Sequence, residues 1–183
     1  MTNAIFKTVK ESNVTISQLM LPSHTNFSGK IHGGYILSLL DQIAFACASK
    51  FAGYYCVTAS VDTVDFIAPV EVGDLVTMKA SVNYVGHSSI IVGIRVEAEN
   101  IKSGVVKHCN SSYFTMVAKD EKGVNAAVPG LVLSSAQEIR RFNNCIKIIA
   151  LKKERSLHEQ HYGHTSQEAM DALANYNVRV ELK

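Results

Sequence analysis

From Val57 to Ala118 the apolar residues recur every second position. Val76, Met78, Ala80, Val82 and Tyr84 stand among mostly polar neighbours, and Ile90, Val92, Ile94, Val96 and Ala98 alternate with Ile91, Gly93, Arg95, Glu97 and Glu99. A period of two predicts strands with one buried face. Val57–Ile67, rich in β-branched residues, predicts a strand that ends at Pro69, and Val105–Ala118 a last long one. Glu71–Asp74, Gly86-His87, Ser103-Gly104 and Asp120–Gly123 supply the turns. Such connections are too short for crossovers, so the sheet should be antiparallel. Val14–Leu21 predicts one earlier strand, closed by Pro22, which lacks a ladder donor.

On either side of this block the period lengthens. From Gly34 to about Phe51 the chain is apolar nearly all the way round, with Asp41 in its middle and Gly53 as its stop. That composition predicts a long helix buried by the rest of the fold. After Pro129-Gly130, Ser134 with Gln137 or Ser135 with Glu138 can open a second helix. Ile139, Phe142, Ile146 and Ile149 then keep helical spacing to about His158. Thr165 with Glu168 offers another helix start, continued by Ala169, Ala172, Leu173 and Tyr176. The pattern is an α+β layer, a helix against an antiparallel sheet. It divides at residue 128 into a main domain (1–128) and a C-terminal helical extension (129–183), which lacks a core of its own and must pack on the sheet or on another subunit.

Composition narrows the setting. The chain has 183 residues, 47% of them hydrophobic, and a net charge of +2, so it can build a real core and carries no global field suited to nucleic acid. Met1–Lys10 lacks a signal-peptide core, and Gly34–Ala48 reads as too short and too interrupted by acid for a membrane span. Cys47, Cys56, Cys109 and Cys145 are scattered, which suits buried thiols in a reducing compartment. These readings predict a soluble cytoplasmic protein with neither nucleic-acid nor membrane partner.

Candidate chemistry gathers at the glycine-rich helix start. Gly33-Gly34 can expose backbone N–H groups to a polarised oxygen, or can simply allow close packing. Asp41 is a candidate base or nucleophile, or else a solvated acid. Gly34 and Asp41 share a helix face about 10 Å apart, long for both to touch one carbonyl, and a second copy of the chain would bring its own acid closer. Asn26 suits a turn, or could orient a water or a carbonyl. Gly86-His87-Ser88-Ser89 is a hairpin tip whose hydroxyls and free N–H groups suit a phosphate. His32 is either a base or structural. His158, His161 and His164 have only a superficial metal spacing, interrupted by Gly163, so no metal is expected. Arg140, Arg141, Lys147, Lys152, Lys153 and Arg155 give the tail helix a positive side.

Five pieces in order carry a resemblance: Asn26-Phe27-Ser28-Gly29-Lys30-Ile31-His32-Gly33-Gly34, Asp41, Val57–Asp62, Phe66–Asp74 and Val85–Ser89. Over about residues 10 to 130 the chain resembles the hotdog-fold acyl-CoA thioesterases, nearest the bacterial YciA-type enzymes and the brain-type acyl-CoA hydrolases. The resemblance implies a long central helix wrapped by a curved antiparallel sheet, in dimers that often assemble as a hexamer. It implies hydrolysis of acyl-CoA, a step of fatty acid metabolism, with Asp41 as catalytic acid and Asn26 as catalytic asparagine, usually from opposite subunits. Gly33 and Gly34 would polarise the thioester carbonyl, and Gly86, Ser88 and Ser89 would contact coenzyme A. His87 departs from the family, where arginine is common. No cofactor is implied, coenzyme A being part of substrate and product. Two rivals share the fold: a non-catalytic acyl-CoA sensor, and a hydroxyacyl-thioester dehydratase, for which only His32 could partner Asp41.

Overall fold

The computed structural model describes residues 5–161, 167–173 and 176–181. Two compact units are present, Met1–Cys145 and Ile146–Lys183. The first holds a five-stranded antiparallel sheet and the helix it wraps. In chain order its elements are β1 (Phe6–Thr8), α1 (Val9–Ser12), β2 (Val14–Leu19), α2 (Gly33–Ala52), β3 (Tyr55–Val61), β4 (Asp74–Val85), β5 (Ser89–Asn100), β6 (Val105–Lys119) and β7 (Gly130–Val132). Helix α3 (Ala136–His161) begins in this unit and runs into the second, which also contains α4 (Gln167–Ala172). The expected helix start at Thr165 and the histidine at 164 lie outside the described residues.

Strand order is β2-β4-β5-β6-β3, so β2 and β3 are the edges. The inward-facing members of the alternation, Val76, Met78, Val82, Ile90, Val92, Val96, Phe114 and Met116, are almost wholly buried against α2. From the helix come Ile36, Leu40, Ile43, Ala44, Cys47, Ala48 and Phe51. Each large apolar side chain in such a core contributes about 1.5–3 kcal/mol. Gly53 ends α2 in the left-handed region (φ 74°), its N–H donating to the Ser49 carbonyl, a conformation that favours glycine. At 20 residues α2 has the length and hydropathy of a membrane span, beyond what the shorter stretch 34–48 implied, yet nine of its residues are buried in this fold.

Two expectations need correction. The strand predicted for Val57–Ile67 stops at Val61. Its register with β6 slips between Thr58 and Ser60, and residues 62–69 then follow β6 irregularly, tied by Asp62 N–H to the Tyr113 carbonyl and Ile67 N–H to the Cys109 carbonyl. The helix itself is not buried all round: Leu37, Asp41, Gln42 and Phe45 form an exposed stripe along one side. The sheet covers α2 from one side only.

The outer face of the sheet is polar where α3 does not cover it. There Glu97 accepts from Lys79 at 2.7 Å and from Arg95 at 2.8 Å. Those two cations hold its carboxyl down at about 2, from the ordinary 4.5. A depressed folded value means that the stabilisation is complete above about pH 4.5 and is lost as pH falls through about 2. Glu97→Gln should therefore lower stability at pH 7 by less than about 1 kcal/mol per lost pair, with a gap that shrinks toward pH 2. Urea unfolding of both proteins at pH 7 and at pH 2.5 measures this, and an equal gap at both would contradict it.

Over that face, Phe142 of α3 meets Tyr84 at 5.1 Å between ring centroids, and Cys145 is fully buried. Ser135 caps α3 by accepting from Glu138 N–H at 3.2 Å, while the Glu138 carboxylate accepts from Ser134 N–H at 2.6 Å. All four cysteines are buried. Burial pushes the Cys47 and Cys145 thiols up to about 12, which leaves them protonated and unreactive.

Candidate active site

Asp41 sits on the exposed stripe of α2, two turns in from the helix start, and its neighbour is the edge strand. Thr58 of β3 donates its hydroxyl to Asp41 Oδ1 at 2.5 Å. A hydroxyl aimed at an ionised oxygen makes a strong charge-assisted bond and fixes the carboxylate's direction. Sequence reading missed Thr58. Thr58 lies in the Val57–Asp62 piece of the resemblance but was given no role there, because the register that carries it to Asp41 arises only when the sheet curls around α2.

An open cavity of about 530 Å³ lies beside the pair. Asp41, Gln42, Phe45, Tyr55, Val57 and Thr58 line it. Phe45, one turn beyond Asp41, packs against Tyr55 at 5.1 Å. One side of the cavity is thus a carboxylate with its positioning hydroxyl, and the other is aromatic and aliphatic. That pairing suits a reacting polar centre attached to an apolar tail. Within one protomer Asp41 is exposed, although composition predicts the helix that carries it to be buried. Desolvation of the acid would have to come from whatever covers the stripe and the outer edge of β3, whose other edge pairs with β6.

Asn26 lies elsewhere. Its Oδ1 accepts from Ser28 N–H (2.9 Å), Ser28 Oγ (2.7 Å) and Lys30 N–H (3.1 Å), which closes the loop before the helix. Its side-chain NH₂ donates to none of the described residues. Next to it Phe27 is wholly exposed. Asn26 N–H to the Lys30 carbonyl and His32 N–H to the His24 carbonyl bind this loop to the start of α2. The structure thus ties the Asn26 loop to the segment that leads into α2, and places Asp41 beside Thr58. The cavity lining contains neither Asn26, nor the glycine pair, nor Gly86–Ser89.

The glycine N–H groups are not both bare. His32 is the N-cap, and its Nδ1 accepts from Gly34 N–H at 2.9 Å. Gly33 N–H has no acceptor among the described residues. Capping also occupies the one histidine that a dehydratase reading could pair with Asp41. At the β4–β5 hairpin, Gly86 N–H donates to the Ser89 carbonyl, while His87 is exposed and uses its carbonyl to hold Val128 N–H. Among the described residues no group of three or more His, Cys, Asp or Glu could hold a metal ion.

Known proteins share this architecture. Residues 28–105 match the Thioesterase superfamily. The protein VdlD of Helicobacter pylori is 41% identical over 140 residues, which cover 76% of this chain and 80% of VdlD. An apo hexameric acyl-CoA thioesterase superposes with a TM-score of 0.81 at 34% identity, over 83% of this chain and 97% of its own. An acyl-CoA hydrolase from Staphylococcus aureus, solved with butyryl coenzyme A, coenzyme A and coenzyme A disulfide, superposes with a TM-score of 0.78 at 28% identity, over 93% and 99%. That enzyme has also been solved with one aspartate, one asparagine or one threonine replaced by alanine. The asparagine and aspartate there lie 15 positions apart and the aspartate and threonine 17, the separations of Asn26, Asp41 and Thr58 in this chain.

Proposed function

We propose, on the premise that this chain belongs to the thioesterase superfamily, that it hydrolyses acyl-CoA to a free carboxylic acid and coenzyme A at a site centred on Asp41. The observation that carries this reading is the Thr58–Asp41 hydrogen bond at the mouth of a half-apolar cavity. Asp41 either takes the proton of an attacking water or attacks the thioester carbonyl itself. In both routes the carbon–sulfur bond breaks and the electron pair leaves on sulfur; in the second the acyl group passes to the Asp41 carboxylate as an anhydride, which water then cleaves to the free acid, and in both the proton given up by water goes to the thiolate or to solvent. A thiolate leaves readily, so no strong general acid is required. The NH₂ group of Asn26 and the N–H groups of Gly33 and Gly34 are donors for the carbonyl oxygen or the water. The hairpin Gly86-His87-Ser88-Ser89 is the candidate contact for coenzyme A.

Two protomers complete the site. Strand β3 is an edge of the sheet, with only β6 as its strand neighbour among the described residues, and exposes Tyr55, Val57 and Val61, and Phe27 stands fully exposed beside Asn26. An edge of that length and polarity asks for a partner strand. A second chain paired along β3 would bring its own helix start and Asn26 loop toward Asp41 and would exclude water from it. Trimerisation of such dimers would give a hexamer. A soluble, cytoplasmic enzyme without a bound cofactor or metal fits this reading.

Release of free thiol from acyl-CoAs ranging from acetyl to palmitoyl tests the function, and no release with any member would refute it. Thr58 is a positioning residue, and its role has a separate signature. Thr58→Val should lower kcat by about 10- to 100-fold, the value of a hydrogen bond to a charged group, with little change in KM. Thr58→Ser should restore most of the rate. A loss confined to KM, or no rescue by serine, would count against positioning.

A further inference from the structure

The cavity beside Asp41 extends in one direction only. From α2 it takes Asp41, Gln42 and Phe45, all at or beyond the acid, and from β3 only residues 55–58, all at or before the threonine. The Asp41–Thr58 bond therefore stands at one end. From there the cavity runs toward the end of the helix and the beginning of the strand. Leu37, one turn nearer the helix start on the same exposed stripe, is outside the lining.

The far end is closed by the chain itself. Helix α2 ends at Ala52 and β3 begins at Tyr55, so only Gly53 and Tyr54 separate them. Two residues have little reach, so helix and strand must converge there. Cys56 N–H donates to Ser49 Oγ at 3.1 Å and stitches the two together. The groove between α2 and β3 is therefore blind. In front of this stitch the Phe45 and Tyr55 rings meet at 5.1 Å between centroids, tilted by 58°. One ring comes from each side of the groove, and together they wall it. Phe45 is 37% and Tyr55 64% exposed, so neither ring belongs to the core.

These positions set a length. Phe45 is one turn beyond Asp41, about 6 Å along the helix axis. Tyr55 is three residues before Thr58, about 10 Å along the strand. A C–C bond of about 1.5 Å projects to about 1.25 Å per carbon in an extended chain. An acyl group whose carbonyl carbon sits at Asp41 thus meets the aromatic wall after about four to six carbons. Ser49, where the stitch closes the groove, is one further turn away, room for about four more carbons.

Resting on the hydrolysis reading above, we infer that the Phe45–Tyr55 pair is an acyl-length stop, which makes the substrates short-chain acyl-CoAs of up to about six carbons. Each methylene that finds apolar contact in the groove favours binding by about fourfold, and one pressed against a wall that cannot yield forfeits at least as much. Alkyl-CoA thioethers from ethyl to hexadecyl carry the same chains and cannot be hydrolysed. Calorimetric titration of the full chain with this series, beside thiol release from the matching acyl-CoAs, tests the stop. Affinity and kcat/KM should climb to about six carbons and fall tenfold or more by ten. Phe45→Ala and Tyr55→Ala should each move the maximum out by about four carbons and raise the decyl-to-butyl ratio tenfold or more. Hexadecyl should remain poor in both, because the Ser49–Cys56 stitch is intact. Tyr55→Phe keeps the ring and should keep the parent profile. The readout is a ratio across chain lengths within one protein, which a general loss of folding or of subunit contact does not move. A parent profile flat from butyl to hexadecyl, a maximum unmoved in both alanine variants, or a maximum moved instead by Leu37→Ala would overturn the inference. Thioethers that show the step while no acyl-CoA releases thiol would leave the stop standing and refute hydrolysis; thiol release without a step would do the reverse.

Discussion

Asp41→Asn is expected to lower kcat by about two to four orders of magnitude, the range for loss of a positioned base. Asparagine keeps the shape of the side chain, and its Oδ1 can still accept from the Thr58 hydroxyl that now bonds the carboxylate. Only charge and basicity are removed. Because Asp41 is exposed on the protomer and supports no buried network, the unfolding midpoint and the oligomeric state should not move. Steady-state thiol release from a good acyl-CoA substrate, run beside thermal unfolding and sedimentation, separates the alternatives. A variant within a few-fold of the parent rate would remove Asp41 from the chemistry. Equal losses of rate and of stability would make it structural.

Asn26→Asp and Asn26→Ala should fail in different ways. Three hydrogen bonds converge on Asn26 Oδ1 and hold the loop, while the NH₂ group has no partner among the described residues. Aspartate preserves the acceptor and deletes the donor. It should cost about 100-fold in kcat/KM, comparable to loss of one oxyanion donor, and leave stability intact. Alanine removes both functions and should add about 1–2 kcal/mol of destabilisation through the freed loop. Mixing the two inactive proteins, Asp41→Asn and Asn26→Asp, tests whether one site draws on two chains. With random pairing in dimers and sites shared between subunits, half the dimers carry one intact site, so about a quarter of the parent activity should return. Sites confined to one chain return none. An active Asn26→Asp enzyme would remove the NH₂ group from the mechanism.

Much of this was legible in the sequence for local reasons. Gly53 and the glycine pair bracket the helix that runs from Gly33 to Ala52, because a left-handed stop and a capped start are properties of neighbouring residues. Strands β4, β5 and β6 follow the alternation almost residue for residue, since a period of two is also local. What escaped was non-local. β1 and β7 pair in parallel across more than a hundred residues, and neither three-residue strand has a period to read. The end of β3 at Val61 is set by its slip against β6, while the β-branched pattern runs on past it. Composition suggested a buried Asp41, but composition cannot say that the sheet covers only one side of α2. Candidate residues were legible by type and their grouping was not. Asn26 lies in the same stretch of chain as the helix start, whereas the pairing of Asp41 with Thr58 is one that only the folded sheet creates.

The imidazole of His32 holds the hydrogen that a thioester oxygen would need. An uncharged carbonyl arriving at Gly34 would trade one neutral acceptor for another, with almost nothing gained. Once negative charge gathers on that oxygen the contest turns, because an anion attracts the amide far more strongly than a neutral ring nitrogen does. The ring would then give way only as the reaction advances. A resident competitor of this kind would withhold the amide from bound reactant and release it to the activated state, which is the bias that speeds turnover without tightening substrate capture.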